Sequence, residues 1–309
     1  DKLLGERDNL DEALAESGHA FARIAEPELT IDHRRDTGDL AMPVTPGGRY
    51  VFGEVTSNLP KFLSGKHLAT IARFEPGDSY KRSEVNDLRR AIAATGLVSS
   101  VVITPREVAL PQGDTPGTVA LDVALAKAKL RTIAGEAGYD SGEGPRVEVR
   151  WEHRNMFPPE GLLRLRAIAG TKEQLAGVTF RRNNFGDRDQ VLTLDAFASA
   201  TQRDAFHARQ VGVTATFEKL TTLIFQKPWV WSAGLELVLS NERESAVTGV
   251  VTPRTTYYTA ALPLRVAYDG TKDLLNPTNG FRAALRVSPE FSRGAGKNAT
   301  YARIQADAS

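Results

Sequence analysis

From residue 131 onward the chain alternates in polarity, and that alternation limits its folding more than any other feature. In Trp229–Ser240, the residues Trp229, Trp231, Ala233, Leu235, Leu237 and Leu239 share one side, while Ser232, Gly234, Glu236 and Ser240 share the other. Period two belongs to a strand with chemically distinct faces, because successive side chains point to opposite sides of a sheet. Val147, Val149 and Trp151 oppose Arg146, Glu148, Arg150 and Glu152 in the same way, and Val211, Val213, Ala215 and Phe217 oppose Gly212, Thr214, Thr216 and Glu218. Phe281, Ala283, Leu285 and Val287 oppose Arg282, Ala284, Arg286 and Ser288. About ten such segments, separated by Gly, Asn, Asp and Pro, follow one another at barrel-like spacing.

Two architectures accept this pattern. A soluble sandwich or barrel turns its apolar face inward, and a transmembrane barrel turns it toward lipid. Strand length favours the membrane: ten residues at about 3.3 Å each, tilted near 40°, span about 25 Å, the height of an outer-membrane apolar band. Charge points the same way. Arg282 or Arg286 in mid-bilayer would cost about 2–4 kcal/mol, whereas in a wet lumen each can be solvated and paired. Most basic residues after position 130 are arginine, whose planar fork suits carboxylate pairing in a polar interior. The expected lumen charges are therefore Arg146, Glu148, Arg150, Arg282 and Arg286, with Trp229, Trp231, Tyr257 and Tyr258 near strand ends as interfacial aromatics.

The first 130 residues read differently. Residues 9–24 have the spacing of an amphipathic helix through Leu10, Leu14, Phe21 and Ile24. Two short runs, 28–34 and 40–44, flank a turn expected at Asp36-Thr37-Gly38-Asp39, and Pro46-Gly47-Gly48 breaks the pattern. A strand at 49–55 then leads to a helix at 66–73 and to a second helix with Val85, Leu88 and Ile92 on one face, capped by Asp78 or Ser79 and stopped by Gly96. Strands at 97–104 and 118–126 complete a β-α-α-β-β unit, and residues 1–47 read as the same unit without its opening.

Composition removes whole classes of chemistry. The 309 residues include no cysteine, so disulfides, thiolate metal sites and a cysteine nucleophile are excluded. His19, His33, His67, His153 and His207 lack metal-ligand spacing. A formal net charge of +1 argues against a general nucleic-acid binder. No apolar run reaches the ~18 residues of a transmembrane helix. Asp187, Asp189 and Asp195 read as turn and lumen residues, and Gly142-x-Gly144 lacks the following helix of a phosphate loop. The sequence shows no catalytic constellation and implies no cofactor. No targeting segment is visible, and both chain ends read as cut.

Several motifs carry a family resemblance. Tyr50-Val51-Phe52-Gly53-Glu54-Val55, Pro76-Gly77-Asp78-Ser79-Tyr80 and Ala91–Val98 resemble a polypeptide-transport-associated (POTRA) domain. Gly138-Tyr139-Asp140-Ser141-Gly142-Glu143-Gly144-Pro145-Arg146 resembles the first hairpin of the BamA/TamA surface-antigen barrel, and Asp269 through Asn276-Pro277-Thr278-Asn279-Gly280-Phe281 resembles its turn into a mid-barrel strand. The resemblance, closest to TamA-like members, implies three regions. Residues 1–47 are the C-terminal part of one POTRA domain, 48–128 a complete POTRA domain, and 129–309 about ten of sixteen strands of an outer-membrane barrel.

That resemblance implies a non-enzymatic assembly factor in the outer membrane of a Gram-negative bacterium, with its POTRA domains in the periplasm. Its partners would be the lipid bilayer, unfolded outer-membrane proteins or autotransporters, and a large inner-membrane-anchored, TamB-like protein. A two-partner-secretion transporter and a passive porin-like channel are the alternatives. Client docking is expected on an exposed POTRA strand by β-augmentation, with Tyr50, Val51, Phe52 and Gly53 on one candidate and residues 118–126 on another. A lateral seam is expected at the first barrel strand through Gly135, Gly138 and Tyr139, since glycine weakens strand packing. The barrel turn motif rests on Asp269, Pro277 and Gly280.

Overall fold

In a computed structural model the chain divides into two compact units, Asp1–Ala128 and Lys129–Ser309. The structure describes residues 2–32, 34–35, 37–203, 206–220, 228–244, 253–271 and 278–309.

The first unit opens with helix α1 (Lys2–Glu16). It starts earlier than the apolar spacing predicts and ends at Glu16 rather than near residue 24. Gly18, at φ +98°, takes the left-handed conformation that terminates helices, and the His19 amide donates to the Leu14 carbonyl at 3.0 Å. Phe21 leaves the helix as a result and packs edge-on against Tyr50, with ring centroids 5.0 Å apart. Strands β1 (Arg23–Ile24), β2 (Glu28–Asp32), β3 (Thr37–Ala41) and β4 (Val44–Thr45) form a hairpin of β2 with β3 and a short pairing of β1 with β4. Asp32 pairs with Thr37, so Thr37, Gly38 and Asp39 lie in β3 and the turn comes earlier than the sequence pattern placed it.

Next come β5 (Tyr50–Ser57), α2 (Gly65–Ile71), α3 (Arg82–Ala94), β6 (Val98–Ala109) and β7 (Gly117–Lys127). Ser64 caps α2 through its hydroxyl, which accepts from the His67 amide at 3.2 Å. Neither Asp78 nor Ser79 caps α3. Asp78 instead accepts from the Glu75 amide, and Ser79 bridges Val51. The free amide at the start of α3 is met from a distance in sequence. Both Glu16 carboxylate oxygens accept from Ser83, one from its amide and one from its hydroxyl, each at 2.6 Å. The helices cover a three-stranded sheet ordered β5-β7-β6, with β7 parallel to β5 and antiparallel to β6. Phe52, Leu63, Leu68, Leu88, Ile92, Val119 and Leu121 are fully buried between the layers, and Phe52 stacks on Phe74 at 3.8 Å.

The second unit is a single antiparallel wall. Its strands are β8 (Arg131–Asp140), β9 (Gly144–Phe157), β10 (Gly161–Gly170), β11 (Glu173–Arg182), β12 (Gln190–Gln202), β13 (Phe206–Lys219), β14 (Trp229–Glu244), β15 (Thr255–Ala261), β16 (Leu264–Asp269), β17 (Arg282–Gly294) and β18 (Lys297–Ala308). Each pairs with its sequence neighbours, except that β15 and β16 share the same two partners, β14 and β17. They are one strand interrupted at Pro263, which has no amide for the ladder; its carbonyl still accepts from Gly234 at 2.8 Å.

Two glycines of the wall, Gly212 and Gly294, accept a ring from the neighbouring strand. Phe197 and Gly212 face each other, and a Cβ on Gly212 would lie 2.6 Å from the Phe197 ring. Gly212→Val is therefore expected to destabilise the wall by about 1–3 kcal/mol through overpacking. The check is the temperature at which the folded, heat-modifiable form disappears in gel shifts of the full chain. An unchanged temperature would show that Phe197 moves freely.

Candidate functional site

The register decides which way each side chain of the wall points. Residues directly opposite one another share a face, and successive residues alternate. One face carries Val147, Val149, Leu165, Val178, Leu194, Val211, Val213, Leu237, Leu239, Val266 and Leu285, all exposed. The other carries Glu148, Ile168, Val191, Ala208, Ser240, Ala261 and Glu290, all buried. Neighbouring strands crowd their side chains together on the concave side of a curved sheet, so the buried, charged face is concave and the apolar face convex.

Arg146, Glu148, Arg150, Arg282 and Arg286 all lie on the concave face. Glu148, only 7% exposed, is the centre of one cluster. Arg166 contacts it through two nitrogens at 2.8 and 3.0 Å, Arg146 through one at 3.0 Å, and Arg150 at 3.8 Å. One strand position further, Arg164 meets Glu152 at 2.7 Å. At the other end of the wall Arg303 holds Glu290 at 2.9 Å, and the Arg286 guanidinium donates to Gln305 at 3.4 Å. Arg146 and Arg150 reach Glu148 along their own strand, whereas the Arg166, Arg164, Arg303 and Arg286 contacts cross from strand to strand and so brace the wall laterally.

The Asp269 motif has a mechanical reading. One Asp269 oxygen accepts from the Thr271 amide at 3.0 Å and hydroxyl at 2.6 Å, while the other meets Arg282 at 2.9 Å. Gly280, at φ +108°, lets the returning chain pass close to the Gly270 carbonyl, where a Cβ would be 2.5 Å away. Asp269 and Gly280 thus clamp the base of the β16–β17 hairpin. Pro277 lies outside the described residues.

Aromatic side chains form a belt that the sequence only partly revealed. At the end of the wall where β8 begins, here the proximal end, Phe185, Phe217 and Trp231 are linked by edge contacts, and Trp229, Tyr268 and Phe281 by tilted ones. Phe157 and Phe180 extend the belt along the wall. Tyr257 does not belong to such a girdle: it faces Ser240 and Gly294 on the concave side, with its ring over Gly294. Tyr258 is convex and exposed. Cross-strand register was the missing information, since these aromatics are far apart in sequence.

Comparison with known proteins gives this geometry a family. Residues 160–309 match the Omp85 superfamily domain. This segment, just under half of the chain, is similar to the Omp85 superfamily domain. The fold is similar to BamA from Haemophilus ducreyi lacking POTRA domains 1–3, with a TM-score of 0.72 and 14% identity, over 95% of this chain and 59% of that one. CdiB from Acinetobacter baumannii matches with a TM-score of 0.47 and 12% identity, over 98% of this chain and 54% of that one. The chain thus spans somewhat over half the length of the solved relatives it matches.

Two sheet edges bear on binding. β8 pairs only with β9 among the described residues, and every residue of β8 is exposed. Gly135 and Tyr139 point to the convex face and Gly138 to the concave one. A Cβ on Gly135 would meet nothing nearer than the Glu148 carbonyl at 3.9 Å, and one on Gly138 would meet nothing within 4 Å. Packing against β9 therefore requires neither glycine.

In the first unit the docking strand expected at Tyr50, Val51, Phe52 and Gly53 is already covered. Residues 77–80 run along its outer edge, with the Phe52 amide donating to Asp78, the Gly77 amide to Phe52 and the Tyr80 amide to Tyr50. The Tyr50 hydroxyl donates to Glu107, and burial together with that carboxylate pushes the phenol up to about 12. The other candidate, residues 118–126, is the central strand and has no edge. The uncovered edge is β6, where Val102 is 56% exposed and Pro105 limits how far a ladder could continue.

The Glu148 cluster supports a graded prediction. Arg166→Ala should lower wall stability by about 1–3 kcal/mol, whereas Arg150→Ala should cost less than about 1 kcal/mol. Denaturant titration of the reconstituted full chain, followed by tryptophan fluorescence, would separate the two. Equal losses would show that the arginines share Glu148 evenly.

Proposed function

We propose that this chain is part of an outer-membrane assembly factor that folds and inserts β-barrel proteins or autotransporters. Residues 48–128 are its membrane-proximal POTRA domain, 1–47 the end of the preceding one, and 129–309 the first part of the barrel. The superfamily match supports the outer-membrane placement, and the β-α-α-β-β order of the first unit supports the POTRA reading. The observation that carries the mechanism is the pair of glycines in β8, the first barrel strand, which packing against β9 does not require.

Work of this kind is strand exchange, in which no covalent bond is made or broken. Unpaired backbone groups on an edge strand are strong donors and acceptors, and an unfolded client can satisfy them by adding its own strand. The β6 edge offers a first docking place outside the bilayer, with Val102 exposed beside it. The β8 edge offers the template at the barrel. Within the bilayer such an edge cannot remain open, so it must be paired by another barrel strand or by a client. The glycines keep that pairing weak enough to exchange.

The test uses the full-length protein in vesicles with an unfolded β-barrel client. A photo-crosslinker in place of Ile133 on β8, or of Val102 on β6, should capture the client, and one in place of Leu237 on β14 should not. Gly135→Val should leave the wall folded, because its side chain has room, and slow client folding about fivefold through about 1 kcal/mol of stronger pairing. Unchanged client folding with no crosslink at β8 would overturn the template role. Capture of a single dedicated exoprotein, with no barrel clients, would place the protein among secretion transporters.

A further inference from the structure

The convex face of the wall is asymmetric in charge. No Asp or Glu occupies a convex position on β9 to β18 among the described residues, and the wall's carboxylates sit on the concave side. Convex cations do occur, and those of the distal end form a group. Arg243 and Arg293 are each one residue from the end of their strands, and Arg209 is the fourth residue of β13. None of the three has an ion-pair partner among the described residues. His207 lies directly opposite Arg243, and Arg254 donates to Asn241 between them and β15 at 2.9 Å.

Below this basic rim the convex face is hollow. Ala196, Ala198, Ala200 and Ala260 stand where neighbouring positions hold Leu and Val, leaving two apolar grooves side by side, of about 650 and 540 Å³. Arg209 and Asn241 line the top of the first groove, and Tyr258 and Phe291 line the second. From Arg209 on β13 to Arg293 on β17 there are three strand spacings, about 14 Å. A single phosphate could not engage cations that far apart. The proximal end carries Arg182 and Lys219 among the rings of the aromatic belt, so the two rims differ in kind.

We propose that the distal convex face of β12 to β17 binds a phosphorylated, multiply acylated glycolipid, the lipid A portion of lipopolysaccharide. Its two phosphates lie against Arg209 and Arg293, with Arg243 between them, and its acyl chains occupy the two grooves. Arginine at the edge of the apolar band costs little, and charge-assisted contact with phosphate returns more than that. This inference rests on the outer-membrane placement proposed above, in which the distal end meets the outer leaflet.

The experiment uses the full-length protein, purified in a mild detergent, and measures retained lipid by native mass spectrometry. Lipid A carrying two phosphates, lipid A without phosphates, phosphatidylglycerol and phosphatidylcholine are each added. The expected result is saturable, one-to-one retention of bis-phosphorylated lipid A, reduced at least tenfold for the other three lipids and in the Arg209→Ala, Arg243→Ala, Arg293→Ala triple variant. Arg181→Ala, a concave arginine outside the patch, should retain wild-type binding. Equal retention by the wild type and the triple variant, or retention of phosphatidylglycerol equal to that of lipid A, would overturn the site. Vesicle insertion and client folding are scored on the same preparations. Normal insertion and folding with no lipid A selectivity would overturn this site alone, whereas failure to insert at all would overturn the outer-membrane reading beneath it.

Discussion

The constraint on which the second unit depends is that backbone hydrogen bonds and charged side chains must be satisfied in different places. Every strand of the wall from β9 to β17 is paired on both sides, so the ladder meets the backbone's own demand. The carboxylates are then gathered on the concave side, where arginines from neighbouring strands reach them. Glu148 shows the economy of this arrangement: one buried acid draws in Arg146, Arg150 and Arg166 and links β9 to β10. With the charges held inside, the convex face is free to be apolar over its whole middle.

The same constraint makes the strand edges informative. An edge in water is solvated and tolerable, whereas an edge in hydrocarbon is not. β6 illustrates the first case, with Pro105 offering no amide to a further strand and Arg106 paired to Asp122 at 2.7 Å beside it. That contact, followed by a hydrogen bond from Thr56, holds the Asp122 carboxyl below its ordinary range. β8, under the reading proposed above, is the second case: its glycines are not required for packing against β9, so on that reading they serve exchange rather than stability.

Much of this was legible from period alone. The faces assigned to residues 229–240 and 281–288 are those the register produces, because a period of two leaves no freedom once a strand forms. Helix α3 could be read from Val85, Leu88, Ile92 and the Gly96 stop. The signals that failed were those needing contacts distant in sequence. Glu16 caps α3 across 67 residues, and residues 77–80 cover the edge at Tyr50 and Phe52. Tyr257 falls on the concave side because its partner is Gly294, and no local pattern marks it. The distal arginines were equally hidden, since Arg209, Arg243 and Arg293 form one patch only after three strands are aligned.

The central claim is that the apolar face of the wall meets lipid and the charged face meets water. Nitroxide labels placed one at a time along residues 231–240 of the full-length protein in vesicles measure this directly, through collisions with membrane-dissolved oxygen and with a water-soluble nickel chelate. The account predicts strict alternation, with oxygen favoured at Ala233, Leu235, Leu237 and Leu239 and the chelate favoured at Ser232, Glu236 and Ser240. The reverse phase, or protection of the odd-numbered positions from both reagents, would place the apolar face in a protein core and contradict it.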